Sequence, residues 1–212
     1  MDRELENYLL KHSSPEDPVL AELYRQTHLR YVNPNMLSGH LQGKFLEFIS
    51  LMVNPMNILE IGTFTGYSAI CLSKGLKDGG KLITIEKNDE LASFTKSYFI
   101  KAGVADKIEL INGNALEIIP ALTTNFDLVF IDADKREYIN YFKVVIDKVS
   151  PGGFIIADNV LWGGQVLEED TSDQQSRGII EFNEMIKNEK GIEKILLPIR
   201  DGLMIVRKMS KT

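Results

Sequence analysis

From about residue 57 onward, two hydrophobic patterns alternate along the chain. Short apolar runs rich in Ile, Leu, Val and Phe fall at Asn57–Ile61, Lys81–Glu86, Lys107–Ile111, Phe126–Asp132 and Gly153–Asp158. Between them lie amphipathic stretches long enough for helices. An unbroken run such as Leu128-Val129-Phe130-Ile131 suits a strand buried on both faces, because successive side chains point to opposite sides of a sheet. Such strands alternating with helices predict an α/β fold around a parallel sheet. Two later runs, Ile192–Pro198 and Gly202–Lys208, are joined by Ile199-Arg200-Asp201-Gly202, whose Asp-Gly pair signals a hairpin. The sheet is therefore expected to end in an antiparallel pair.

Ahead of this alternation, roughly residues 1–48 are polar and helix-like, punctuated by Pro15, Pro18 and Pro34. Ser14-Pro15-Glu16-Asp17 reads as a helix start, since serine can cap free N–H groups and proline loses nothing at the first helical position. The segment reads as an N-terminal helical extension or lid on a core spanning 49–212, within one domain covering 1–212. Leu5, Leu9, Leu10, Leu20 and Leu23 have no evident place in the sheet core.

Composition narrows the function. With 44% hydrophobic and 25% charged residues the chain is an ordinary globular one, which excludes fibrous and disordered classes. A net charge of −6 disfavours holding nucleic acid through a basic face, so small substrates or protein partners fit better. The single cysteine, Cys71, cannot form an internal disulfide, and no Cys/His set has zinc spacing. Met1-Asp2-Arg3-Glu4-Leu5-Glu6-Asn7 lacks a basic segment followed by an apolar one, and no stretch approaches ~18 uninterrupted apolar residues. The expectation is a cytoplasmic protein with no membrane partner.

In an open parallel sheet, ligands bind beyond the carboxyl ends of the strands. The first such end is Glu60-Ile61-Gly62-Thr63-Phe64-Thr65-Gly66-Tyr67-Ser68. It is a glycine turn, but Phe64 stands where a dinucleotide fingerprint needs a glycine to admit a pyrophosphate, and no Lys-Ser/Thr follows Gly66. Glu60 would repel phosphate and suits an ammonium group. Glu86, closing the second run, suits ribose hydroxyls, while Gly113 and the backbone of Ala115 are placed to face an adenine edge. A cationic amino-acid nucleoside without phosphate fits, and S-adenosylmethionine is such a molecule. The fourth and fifth ends, Ile131-Asp132-Ala133-Asp134-Lys135 and Ala157-Asp158-Asn159, bring two acids and an amide to adjacent strands. Taken singly, Asp132 or Asp158 reads as a helix cap. Together with Asn159 they form an all-oxygen set suited to a hard cation, Mg²⁺ foremost, with Mn²⁺ or Ca²⁺ as alternatives.

The motifs Glu60–Ser68, Ile131–Tyr141, Asp158-Asn159-Val160-Leu161-Trp162-Gly163-Gly164 and Leu197-Pro198-Ile199-Arg200-Asp201-Gly202-Leu203 resemble the cation-dependent O-methyltransferases of the catechol and caffeoyl-CoA type. The likeness runs from about Met36 to Arg207. It implies a Rossmann-like fold with a seven-stranded, mostly parallel sheet, an antiparallel last strand and helices on both faces. It implies S-adenosylmethionine as methyl donor, held by Met36, Ser38, Glu60, Gly62, Phe64, Ser68, Glu86, Ala115 and Asp132, beside the Gly113 already read from its strand end, and a divalent cation held by Asp132, Asp158 and Asn159. Lys135 becomes the base that takes the phenolic proton, and a homodimer is implied as well.

The chain departs from the pattern in places. Ala115 replaces a polar residue of some relatives, so any hydrogen bond to adenine must come from backbone. Ala133 replaces the histidine of the catechol enzymes, which draws the chain toward the caffeoyl-CoA branch. Tyr138, Tyr141 and Trp162 are candidates to border an aromatic acceptor, with core or interface roles as the plainer reading. Arg177 is either a contact for an anionic acceptor or a solvated helix residue. Two alternatives stay open: methylation of a hydroxylated uridine in tRNA, and a non-catalytic S-adenosylmethionine-binding or dimeric interaction protein.

Overall fold

A computed structural model describes residues 3–168 and 171–210; Met1 and Asp2 of the N-terminal reading lie outside the described residues. Seven strands form one sheet: β1 (Asn57–Ile61), β2 (Lys81–Glu86), β3 (Ile108–Asn112), β4 (Phe126–Ile131), β5 (Val149–Asp158), β6 (Ile192–Leu197) and β7 (Leu203–Lys208). Their spatial order is β3-β2-β1-β4-β5-β7-β6, with the first five parallel and β7 antiparallel to both neighbours. This is the Rossmann-like arrangement the motifs imply. The closing hairpin folds back so that β7 is inserted beside β5 and β6 becomes the sheet edge.

Among the described residues eight α-helices accompany the sheet: α1 (Arg3–Lys11), α2 (Pro18–Arg30), α3 (Gly39–Val53), α4 (Tyr67–Ser73), α5 (Ala92–Lys101), α6 (Ala115–Ala121), α7 (Tyr138–Ile146) and α8 (Gln174–Asn188). The continuous apolar runs divide by alternation. Val129 and Ile131 of β4 face one core with Phe142, Val145, Phe182 and Ile186 of α7 and α8. Leu128 and Phe130 face the other, with Leu46 of α3, Ile70 of α4 and Phe99 of α5. Both faces are covered, which is why these strands show no polar alternation.

Three expectations need correction. The helix expected at Ser14-Pro15 starts one proline later: Asp17 caps α2 by accepting from the Val19 N–H at 2.9 Å, and Pro18 takes the first position. The capping logic was right, and a second Ser/Asp-Pro step within the same stretch satisfied it better. Leu20 and Leu23 are not surplus apolar positions, because α2 packs against α3, α4 and α5 and buries both in the second core. Strand β5 begins at Val149, ahead of the expected Gly153, and its pairing with β4 shifts register between Phe126 and Leu128.

The two-sided burial of β4 sets a stability prediction. Leu128→Ala should cost about 2–5 kcal/mol in urea unfolding, whereas Ile100→Ala, 70% exposed on α5, should change stability by no more than about 0.5 kcal/mol. Equal effects would show that β4 is not the central strand.

Candidate active site

The parallel strands deliver their chemistry to one edge. At the end of β1, Gly62 takes φ 96°, and a methyl group there would run into the Asp132 carbonyl at the end of β4. Only glycine permits both the turn and that approach. The Gly62 N–H donates to Ile85 O at 3.0 Å and the Asp132 N–H to Ile61 O at 2.9 Å, which laces the ends of β2, β1 and β4 together. Phe64 is also left-handed, φ 49°, and its N–H donates to Glu86 Oε2 at 2.7 Å. The other Glu86 oxygen accepts from the Asn88 N–H at 2.9 Å. Each oxygen of Glu86 keeps a further lone pair for hydroxyl groups.

These ends surround a cleft of about 920 Å³, the size of a small-molecule site. Met36, Ser38, Gly62, Phe64, Ser68, Glu86, Gly113 and Ala115 line it, and so do Asp132, Lys135, Asp158 and Asn159. Glu60 does not. It is fully buried behind the wall: Thr84 Oγ1 donates to its Oε2 at 2.5 Å, and Oε1 has no hydrogen-bond partner. Burial pushes its carboxyl from 4.5 up to about 8, against the pull of the Ser68 and Thr84 hydroxyls. The ammonium contact expected of Glu60 is thus not laid out in this arrangement.

Strands β4 and β5 pair Ile131 with Ala157, so Asp132 and Asp158 follow side by side. Asp158 is 2% exposed; its Oδ1 accepts from the Asn159 N–H at 2.7 Å and its Oδ2 from Gln42 Nε2 at 2.5 Å. Burial, reinforced by the Asp132 charge, raises Asp158 from 3.8 to about 7. Two acids facing each other at buried strand ends are costly without a positive charge between them. Among the described residues no three or more His, Cys, Asp and Glu side chains cluster as metal ligands, so a cation site must recruit other oxygens, as Asn159 would here. The donor set therefore fits a hard divalent cation.

Lys135 follows β4 in a short turn capped by Asp134, which accepts from the Arg136 N–H at 3.1 Å and Arg136 Nε at 2.9 Å. Asp134 is thus engaged by Arg136 and not by its neighbour Lys135. Lys135 turns inward, 6% exposed, and its Nζ donates to Asp132 Oδ1 at 2.8 Å and Tyr138 Oη at 2.6 Å. Tyr138 is fully buried and its hydroxyl lies 2.9 Å from the Asp158 carbonyl, so it braces the lysine and does not border an acceptor. Gln175 of α8 accepts from the Lys135 N–H at 3.0 Å, and α8 packs so closely that a side chain at Gly178 would meet the Lys135 carbonyl.

Tyr141 and Trp162 do line the cleft. Arg177 is exposed on α8 and its guanidinium donates to the Thr171 carbonyl at 3.3 Å, which is the solvated reading. Sequence reasoning missed Gln42, Gln175 and Arg200, all on the cleft wall or directly behind it. Arg200 was visible within the Leu197–Leu203 motif. Gln42 and Gln175 carried no signal beyond being amides in otherwise ordinary helices.

Fold and cleft together define a Rossmann-like, small-molecule enzyme built around a nucleoside pocket. The sequence profile of the O-methyltransferase family matches residues 10–209. The chain is similar to caffeoyl-CoA O-methyltransferase 1 of Eucalyptus globulus, 33% identical over 92% of this chain and 84% of that protein. It is similar as well to the catechol O-methyltransferase of Niastella koreensis, 35% identical over 78% of this chain and 74% of that one. Among solved structures, the O-methyltransferase TomG of Streptomyces achromogenes, in complex with S-adenosylmethionine, superposes with a TM-score of 0.90 at 32% identity, covering 99% of this chain and all of that one. The chain belongs to the O-methyltransferase family.

Glu60→Gln tests the buried acid. Because the folded-state pKa lies above the ordinary value, ionisation of Glu60 opposes folding; the penalty is absent below about pH 4.5 and grows until about pH 8. Measured by urea unfolding across that window, stability should shift in favour of the variant by up to about 1.4 kcal/mol per pH unit. A difference that stays constant with pH would show that Glu60 ionises in the fold without cost.

Proposed function

We propose that this enzyme methylates a hydroxyl of a catechol-like or caffeoyl-type small molecule, using S-adenosylmethionine and a divalent cation held by Asp132, Asp158 and Asn159. One observation carries the reading: an inward-turned lysine and two acids with an amide converge at adjacent strand ends, beside a glycine turn in a cleft of small-molecule size. The acceptors in the names of the two relatives, caffeoyl-CoA and catechol, both carry vicinal hydroxyls. A non-catalytic binder would have no use for the lysine and acid set.

S-adenosylmethionine supplies an electrophilic methyl on a sulfonium, and a divalent cation in such a site lowers the pKa of hydroxyls that chelate it. The side chains of the enzyme do the rest. Glu86 accepts from ribose hydroxyls, the backbone of Gly113 and Ala115 faces adenine, and Met36, Ser38, Gly62, Phe64 and Ser68 enclose the remainder of the methyl donor. Asp132 stands where the two halves of the cleft meet, able to serve the methionine end and the cation alike. Lys135 Nζ, in its neutral amine form, takes the proton of the reacting hydroxyl and becomes the ammonium that Asp132 holds, and Asp132 and Tyr138 fix the direction of its approach. Holding oxygen and methyl carbon in line can supply ~7–11 kcal/mol of the acceleration.

The reading extends to assembly and location. Phe48, Leu51 and Met52 on α3 and Ile195 and Leu196 on β6 are exposed apolar side chains, and they support a homodimer. None of the described helices is long and apolar enough to cross a membrane, which is compatible with a cytoplasmic enzyme.

Two measurements test the chemistry. After chelator treatment, calorimetric affinity for S-adenosylmethionine should persist, while methyl transfer from labelled donor to a catechol should stop and return with Mg²⁺; an unchanged rate would remove the cation. Label appearing in an unmodified tRNA pool and in no catechol would replace the acceptor class. Lys135→Ala should lower the maximal rate by ~10²- to 10⁴-fold at neutral pH, with donor affinity nearly unchanged and a smaller loss at high pH, where the hydroxyl ionises unaided. A normal rate would sink the general-base assignment.

A further inference from the structure

The turn joining β6 to β7 places Arg200 in the left-handed region, φ 49°, a backbone conformation that disfavours a side chain. Its guanidinium reaches back across the cleft mouth. Nη1 donates to the Leu37 carbonyl at 3.3 Å, to the Ser38 carbonyl, and to Gln42 Oε1 at 2.6 Å. Gln42, on α3 and 1% exposed, in turn donates from Nε2 to Asp158 Oδ2 at 2.5 Å. Three segments far apart in the chain thus meet in one line from the hairpin turn to the acid at the end of β5.

The order of these contacts follows from their chemistry. A guanidinium has donors and no acceptor, so the oxygen of the Gln42 amide must face Arg200. That leaves the amide NH₂ facing Asp158, where an ionised carboxylate accepts it. Asp158 Oδ1 is already taken by the Asn159 N–H. With one donor on each oxygen, the plane of the carboxylate is set, and one lone pair per oxygen remains. Without Arg200 the buried amide could rotate and present its oxygen to the acid, an arrangement of two acceptors.

We infer that Gln42 and Arg200 are positioning residues for the cation: Arg200 sets the sense of the Gln42 amide, and Gln42 aims Asp158. This rests on the cation reading proposed above and adds to it a supporting pair that lies outside the oxygen set. Arg200 also ties down the carbonyls of Leu37 and Ser38, next to wall positions Met36 and Ser38. The two residues should therefore differ in one respect. Loss of Gln42 affects the cation alone, and loss of Arg200 affects the cation and the methyl donor together.

The test measures Mn²⁺ affinity by electron paramagnetic resonance and S-adenosylhomocysteine affinity by calorimetry, on the full chain. Gln42→Met should weaken Mn²⁺ binding by about tenfold or more, the range seen when groups supporting a metal ligand are removed, and leave S-adenosylhomocysteine within about twofold. Arg200→Met should weaken both, Arg200→Lys should recover part of the loss, and the double variant should bind Mn²⁺ no worse than Gln42→Met because the pair acts as one chain. If Gln42→Met does not fold by circular dichroism, Gln42→Asn, which withdraws the amide by one methylene, takes its place with the same expectation. A folded Gln42 variant with parental Mn²⁺ affinity, or additive losses in the double variant, overturns the proposal and leaves the cation reading standing. Absence of Mn²⁺ binding by the parent overturns both.

Discussion

The arrangement depends on one electrostatic constraint, the crowding of carboxylates at the carboxyl edge of a parallel sheet. Parallel strands end together, so Glu60, Glu86, Asp132 and Asp158 are all brought to that edge. Burial there raises the carboxyls of Glu60 and Asp158 above the ordinary range, and the neighbouring acids push them further in the same direction. The fold answers each acid separately. Glu86 receives two backbone N–H groups, Asp158 receives an amide and a backbone N–H, Asp132 receives the Lys135 ammonium, and Glu60 receives one hydroxyl. What remains unmet is positive charge. The proposed ligands, a sulfonium nucleoside with an ammonium group and a divalent cation, would both bring it.

Both layers of helices serve this edge. On one side α8 carries Gln175 and Gly178 against the turn that holds Lys135, and α7 begins with Tyr138 beneath its ammonium. On the other, α3 carries Gln42 to Asp158. The closing hairpin completes the enclosure: Val160 and Leu161 pair through their N–H groups with Gly202 and Asp201, and the Asp201 carboxylate accepts from the Gly163 N–H at 2.6 Å. The loop carrying Asn159 is therefore held by the far end of the chain. A substitution in that hairpin can alter the Asp158–Asn159 side of the cleft without touching either residue.

Much was legible before any coordinates. The unbroken apolar runs announced strands covered on both faces, and that pattern placed the informative residues at strand ends, where the cleft is found. Phe64 in place of a glycine already argued against a pyrophosphate. Misreadings came where local rules offered two solutions or none. Ser14-Pro15 and Asp17-Pro18 are both acceptable helix starts, and the second is the one whose helix buries Leu20 and Leu23 against α3, α4 and α5. What the sequence could not show is that Arg136 engages Asp134 while Lys135 turns inward to Asp132.

The chain by itself determined the class of fold, the order of chemical groups along it and the kind of ligand those groups suit, because periodicity and residue type act over a few neighbours. Tertiary structure alone decided which groups share a partner. Glu60 lies behind the wall because β1 is an interior strand and its side chain there meets Thr84 of β2. Gln42, Asp158 and Arg200 stand 116 and 158 residues apart in pairs, yet hydrogen bonds join them. No local pattern encodes such a contact, since hydrogen bonding depends on distance and direction in space, and these are set only when the sheet order brings α3, β5 and the last hairpin to the same edge.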